Sequence, residues 1–142
     1  MQHLVFDQDF TLPVERIYAF LSEHENLGLV LAPMKVTRLT DGTGSRNGVG
    51  SSRRLAIGGK IGPFVETVTE AVENERIVYT VTKGSPIKNH RGVQTFTSLP
   101  GGGSHLRWEI SFEGKAPLIG AVVAAGIKNS VSKGLKKVDS RA

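Results

Sequence analysis

Apolar residues change period along this chain, and the longest regular pattern comes last. From Pro117 to Val138, Ile119, Val123, Ile127, Val131 and Leu135 recur at every fourth position, and Val138 completes the series. Steps of four drift slowly around a helix axis and give a broad apolar stripe, so one long closing helix is predicted. Lys128, Ser132, Lys133 and Lys136 occupy the opposite side, but only in the second half. In the first half Leu118, Val122 and Ala125 make that side apolar too. A helix apolar all round is buried on every side or faces something apolar outside the chain.

The earlier segments read in order. Met1 to Thr11 is a first strand, with Leu4, Phe6 and Gln8 alternating against Val5, Asp7 and Asp9. Pro13 suits the first position of a helix, where its missing N–H costs nothing, and Glu15 is favourable in that first turn. Val14, Ile17, Tyr18 and Leu21 share one face of that helix. Glu23 to Leu31 is a second short helix or irregular turn, ending before Pro33.

Lys35 to Thr40 is then a strand, followed by a glycine-rich segment with Gly42, Gly44, Gly48 and Gly50. No Gly-Lys-Ser/Thr follows and no helix begins there, so a tight turn at Asn47-Gly48 is favoured over a phosphate cradle. Val49 to Ile57 and Lys60 to Ala71 are strands joined by a two-residue loop, Gly58-Gly59. Glu73-Asn74 turns into Arg76 to Lys83, and a looser connection, Gly84 to His90, leads to Arg91 to Leu99. Pro100 to Gly103 turns into Ser104 to Glu113, where Leu106, Trp108, Ile110 and Phe112 alternate with Arg107, Glu109 and Ser111. Such a meander must pack its apolar face on something. The pattern predicts an α+β architecture over a single domain, residues 1–142: a seven-stranded curved antiparallel sheet around a long C-terminal helix, in the order β-α-α-β6-α.

Composition narrows the function classes. At 142 residues, with 39% hydrophobic and 22% charged residues, the chain fits one soluble globular domain able to bury a core. The sequence contains no cysteine, which excludes disulfides, thiolate metal sites and cysteine nucleophiles. Four scattered histidines, His3, His24, His90 and His105, show no metal-ligand spacing, and no metal or cofactor is expected. No apolar run approaches the roughly 20 residues that cross a bilayer, so stable membrane insertion is not expected. No secretory leader is evident, and a cytoplasmic location is the expectation. Part of the +5 net charge lies in Lys128, Lys133, Lys136, Lys137 and Arg141, best read as a solvated helix face. With no aromatic interleaving, nucleic acid is not an expected partner.

Register follows from the hairpin loops. With Gly58-Gly59 as loop residues, Ile57 pairs with Lys60, Leu55 with Gly62, Arg53 with Phe64 and Ser51 with Glu66. With Glu73-Asn74 as the next loop, Val68 pairs with Tyr79 and Glu66 with Val81. Leu55, Ile57, Phe64, Val68, Ile77, Tyr79 and Val81 then share one face, which should be concave, and Arg53 and Glu66 come with them as diagonal neighbours. The three glycines before Ser104 leave the register of the last hairpin open. A charged pair inside a curved sheet costs several kcal/mol to desolvate, so it is better evidence for a polar spot in a cavity than for stability. The alternative is that one or both ends reach to the rim. Trp108 and Tyr79 are core aromatics that could also wall a cavity. His90 sits at a strand start beside the cavity mouth; a histidine there can act as a general acid or base, although a surface loop histidine is the more ordinary reading. No serine has a nucleophile setting.

With that topology, the chain resembles the helix-grip fold superfamily of START-domain and birch-pollen-allergen-like (SRPBCC) proteins, in its bacterial polyketide cyclase/dehydrase-like branch. The resemblance covers essentially the whole chain and rests on dispersed cues. These are Pro13-Val14-Glu15-Arg16-Ile17-Tyr18-Ala19-Phe20-Leu21, Val49-Gly50-Ser51-Ser52-Arg53, Val65-Glu66, Arg76-Ile77-Val78-Tyr79 and Gly102-Gly103-Ser104-His105-Leu106-Arg107-Trp108. It implies an apolar cavity between sheet and terminal helix, used in the superfamily for lipids, hormones and polyketides. In hormone-receptor relatives the positions matching Arg53, Leu55, Glu66 and Tyr79 line the pocket. A tryptophan often found between the early helices is absent here. Polyketide cyclases share no universal catalytic triad, so no catalytic residue is assigned.

The expected ligand-binding set is Arg53, Leu55, Ile57, Phe64, Glu66, Val68, Tyr79 and Trp108 from the sheet, with Val122, Val123, Gly126 and Ile127 from the helix. The expected partner is a small hydrophobic, polyketide- or lipid-like molecule, carried or sensed. A cyclase/dehydrase-type enzyme using the same cavity is the alternative, with Glu66, His90 or Tyr79 moving a proton. A protein-interaction module, including a homodimer through the apolar first half of the helix, is the third.

Overall fold

The computed structural model describes residues 1–57 and 61–142, apart from the side chains of residues 57, 61 and 62. Strand β1 (Gln2–Phe10) leads to helix α1 (Val14–Ser22) and a short 3-10 helix (His24–Gly28). Strands β2 (Lys35–Thr40), β3 (Ser52–Ile57), β4 (Ile61–Val72), β5 (Arg76–Lys83), β6 (Ile87–Ser98) and β7 (Ser104–Gly114) follow, then helix α2 (Ile119–Arg141). The sheet order is β1-β7-β6-β5-β4-β3-β2, antiparallel at every junction, so the meander closes with the first strand beside the last. This is the seven-stranded sheet around a C-terminal helix that the periodicities predict, and the helix-grip fold that the resemblance implies.

Pairing departs from the hairpin expectation in a way that leaves the faces intact. Arg53 lies opposite Glu66, and Leu55 opposite Phe64, two positions from the expected register. A slip of two keeps every side chain on its face, because the pleat repeats every two residues. Arg53 and Glu66 are therefore direct rather than diagonal neighbours. The Gly58-Gly59 loop expectation falls outside the described residues. In the next hairpin Val72 pairs with Arg76, leaving three turn residues rather than two, and Asn74 takes the left-handed φ of 63°. A bulge at Thr69 absorbs the extra residue, so Val68 still meets Tyr79 and Glu66 still meets Val81. The last hairpin closes with Ser98 opposite Ser104.

Two strand boundaries move. Residues 49–51 belong to the turn, so β3 starts at Ser52 rather than Val49. β6 starts at Ile87 rather than Arg91, so the segment before His90 is strand, not a loose connection. The glycine-rich segment is a turn, with the Gly48 N–H donating to the Ser45 carbonyl at 3.1 Å. Arg38 staples it in place by donating to Asp41, the Arg46 carbonyl and Asn47, while also reaching Glu23 and Glu25 at the start of the 3-10 helix. Hydrogen bonding from Arg46 holds the Glu23 carboxyl down at about 2.

The core lies between the concave sheet face, α1 and the second half of α2. Leu106, Trp108, Ile110 and Phe112 are all buried, as their alternation requires. Val131, Leu135 and Val138 are buried beneath them. Gly134 permits close approach: a Cβ there would overlap the Val30 backbone. The first half of α2 is not buried on every side. Val123 and Ile127 are half-buried, while Leu118 and Val122 remain 81% and 67% exposed.

Candidate functional site

Beneath that first half of α2 lies a cavity of about 290 Å³. Leu55 of β3, Phe64 and Glu66 of β4, Tyr79 of β5, His90 of β6 and Ile110 of β7 form its floor. Val122, Val123, Gly126 and Ile127 form its roof, and Leu31, Pro33, Met34, Pro86 and Ile87 its mouth. Of the expected set, the eight residues Leu55, Phe64, Glu66, Tyr79, Val122, Val123, Gly126 and Ile127 therefore surround one space. Arg53, Val68 and Trp108 are buried one layer behind it. The Ile57 side chain lies outside the described residues.

Four polar side chains run through the wall behind the cavity. The Ser51 hydroxyl donates to the Gly48 carbonyl at 2.6 Å, so its oxygen is left to accept from His24 Nε2 at 3.0 Å. Arginine can only donate, so His24 Nδ1 accepts from Arg53 Nη1 at 3.3 Å. Arg53 Nε then donates to Glu66 Oε1 at 2.9 Å. His24 is thereby fixed as the neutral Nε2–H tautomer; burial, reinforced by the Arg53 charge, holds it down to about 3. The Arg53 guanidinium also lies 4.7 Å from the centre of the Tyr79 ring, a cation–π contact. A charge-pair with this much hydrogen bonding is spared much of the desolvation penalty of a bare ion pair. Of the two readings for Arg53 and Glu66, reaching to the rim is excluded, since both are buried.

Glu66 Oε2, the other carboxylate oxygen, lies 3.8 Å from His90 Nε2. The Val81 N–H donates to His90 Nδ1 at 3.1 Å, which places the imidazole proton on Nε2. Burial pushes the His90 pKa down, against the opposing pull of Glu66, so the ring is neutral near pH 7. One donor and one acceptor thus sit side by side at the cavity floor, too far apart to bond each other well. A single oxygen atom can reach both. Tyr79 is different: its hydroxyl accepts from Trp108 Nε1 at 2.9 Å, and burial raises its pKa. Its ring lies against Gly92, where any side chain would collide with it.

The sequence pattern does not single out His24, and for His90, expected beside the cavity mouth, it leaves a general acid or base as the alternative to the more ordinary surface histidine. Asn89 has φ of 53°, and β6 is irregular between Lys88 and Arg91; there His90 is buried, with its ring under the Val81 N–H. Neither a left-handed asparagine nor the closure of the 3-10 helix onto Ser51 leaves a periodic trace. The residue type alone was the available signal.

A family model described as polyketide cyclase / dehydrase and lipid transport matches residues 1–142. The chain belongs to that family. Solved structures with the same fold include the Zhui aromatase/cyclase from Streptomyces, at 15% identity and a TM-score of 0.76 over 99% of this chain and 94% of that one. A START superfamily protein from Mycobacterium smegmatis aligns with 17% identity and a TM-score of 0.76, covering 98% of this chain and 95% of that chain. A Thermus thermophilus protein gives 17% identity and a TM-score of 0.74, with 99% and 96% covered. No curated protein sequence matches the chain. At these identities the structures establish the fold the family member shares with them. Among the described residues, no group of three or more His, Asp or Glu side chains is arranged to hold a metal. Among the described residues, no helix is long and apolar enough to cross a membrane.

Proposed function

We propose that this member of the family binds a small hydrophobic molecule carrying one hydroxyl or enolic oxygen, with the apolar body in the cavity and the oxygen between Glu66 and His90. The supporting observation is the 3.8 Å separation of Glu66 Oε2 and His90 Nε2 at the base of an otherwise greasy space. A hydroxyl donates to the carboxylate and accepts from the imidazole; an ether or a bare hydrocarbon leaves Glu66 Oε2 unmatched, which is costly when buried. Arg53, bonded to His24, which Ser51 holds in turn, keeps the carboxylate aimed. Native mass spectrometry of the purified protein tests this reading. A bound, oxygen-bearing hydrophobic molecule of fitting size is expected, and recovery of polar metabolites or none would count against it.

A cyclase/dehydrase-type activity is the second reading, favoured by one feature. His90 carries its proton on the nitrogen that faces the cavity, beside a carboxylate able to accept one. Glu66 can take a proton from the adjacent carbon and pass it to the leaving hydroxyl, which departs as water as the C=C bond forms, while the neutral His90 N–H hydrogen-bonds that oxygen. Incubating the extracted molecule with wild type and with His90→Gln separates the readings: loss of water only with wild type supports chemistry, and an unchanged mass in both supports carriage.

A further inference from the structure

Five side chains lining the cavity carry a polar atom, and the floor accounts for three of them. Glu66 and His90 are the pair that faces the hollow, and the Tyr79 hydroxyl is bonded to Trp108. The other two, Ser85 and Ser130, belong to the mouth, each fixed there by a hydrogen bond. Ser85 Oγ accepts from the N–H of mouth residue Ile87 at 3.1 Å. Ser130, one turn beyond roof residue Ile127 on α2, donates to the carbonyl of Ala32, between mouth residues Leu31 and Pro33. A serine hydroxyl has one proton to give and two lone pairs to accept with. Ser85 therefore keeps its proton to donate, whereas Ser130 has committed its proton and keeps a lone pair. Holding the mouth in shape uses only part of what the two side chains offer.

We infer that the bound molecule carries a second oxygen, carbonyl or hydroxyl, at the end remote from its floor-bound hydroxyl, and that Ser85 and Ser130 receive it. This deepens the reading of the cavity as a site for hydroxyl-bearing hydrophobic molecules and rests on it. A carbonyl accepts from Ser85 alone; a hydroxyl accepts from Ser85 or donates to Ser130. The rest of the lining is apolar, so an oxygen at mid-length loses its water and gains no partner, which is costly. Polar groups on the ligand are thus matched at its two ends and penalised between them. The occupant is an apolar body with an oxygen at either end, not a greasy chain with a single polar head.

Calorimetric titration of para-alkylphenols from ethyl to hexyl tests the inference, each beside its analogues ending in a hydroxyl and in a methyl ketone. At a mouth without partners, the added oxygen weakens binding at every length. Here it should weaken binding of the short members and tighten it about threefold to tenfold at the length that reaches the serines. The ketone's gain should vanish in Ser85→Ala and survive in Ser130→Ala. The hydroxyl's gain should vanish when both serines are replaced by alanine. Plain alkylphenols should bind these variants as they bind wild type, which a mere loosening of the mouth would not allow. The inference is overturned if the terminal oxygen weakens binding at every length, if a gain persists in the double variant, or if the ketone's gain depends on Ser130 instead of Ser85. Glu66→Gln separates this failure from failure of the floor reading. If it weakens plain alkylphenols while the terminal oxygen gains nothing in wild type, only the mouth site falls. If plain alkylphenols are indifferent to it, or no member of the series binds, both fall. Both serines are only half-buried, so their alanine variants should fold, and an unchanged thermal melt verifies this.

Discussion

The two halves of helix α2 carry the same four-residue apolar series and do opposite things with it. In the second half Val131, Leu135 and Val138 are buried to 0%, 2% and 0% exposure, and Gly134 lets the helix touch the Val30 backbone. In the first half Val123 and Ile127 span a hollow, and a Cβ at Gly126 would meet nothing. One half is anchored by close packing; the other is held over the sheet as a roof. The difference lies in what stands opposite: Val30 closes in on the second half, whereas Glu66, Tyr79 and His90 face the first across empty space.

The widest gap between the halves should appear on truncation. Leu135→Ala removes packed methyl groups and is expected to cost about 3 kcal/mol, while Ile127→Ala, already facing a void, should cost about 1 kcal/mol or less. Equal losses, read from urea midpoints, would show that no hollow exists. The glycines give a second matched pair. Gly134→Ala must push aside immovable backbone and should destabilise by about 2 kcal/mol, whereas Gly126→Ala should be neutral or stabilise by roughly 0.5 kcal/mol through helix propensity.

Acid should sharpen the contrast at the wall behind the hollow. The His24 pKa is about 3 in the fold and about 6.5 unfolded, so the unfolded chain takes up a proton first. That contribution is complete above pH 6.5 and is lost as pH falls; from pH 7 to 5 the expected loss is about 2 kcal/mol. His90, also depressed by burial, acts in the same direction. His24→Gln should flatten the slope. A smaller effect of opposite sign belongs to His105, whose pKa is raised by hydrogen bonding to Asp9 and then Asp7. Its support is present at low pH and fades as pH rises through the raised value, so His105→Gln should matter least above that point.

Much of this was legible in the chain because it depends on period. The concave face survived a two-residue register error at Arg53 and Glu66, since an even slip moves no side chain across the sheet. The bulge at Thr69 preserved the Val68–Tyr79 pairing in another way, by absorbing the one extra turn residue. What stayed hidden depends on single residues and on closure over long sequence distance. His24 reaches Arg53 from 29 positions away, and a left-handed Asn89 precedes the buried His90. The apolar first half of α2 was visible, but a roof and a buried helix look alike until the opposite wall is known.

The central claim concerns one oxygen held at the cavity floor, and calorimetric titration of a naphthol against naphthalene addresses it most directly. Wild type should bind the naphthol about tenfold or more tightly, as expected for a hydrogen bond to a charged group. That preference should collapse in Glu66→Gln while naphthalene affinity is retained. Equal affinities in wild type, or a preference untouched by Glu66→Gln, would contradict the account.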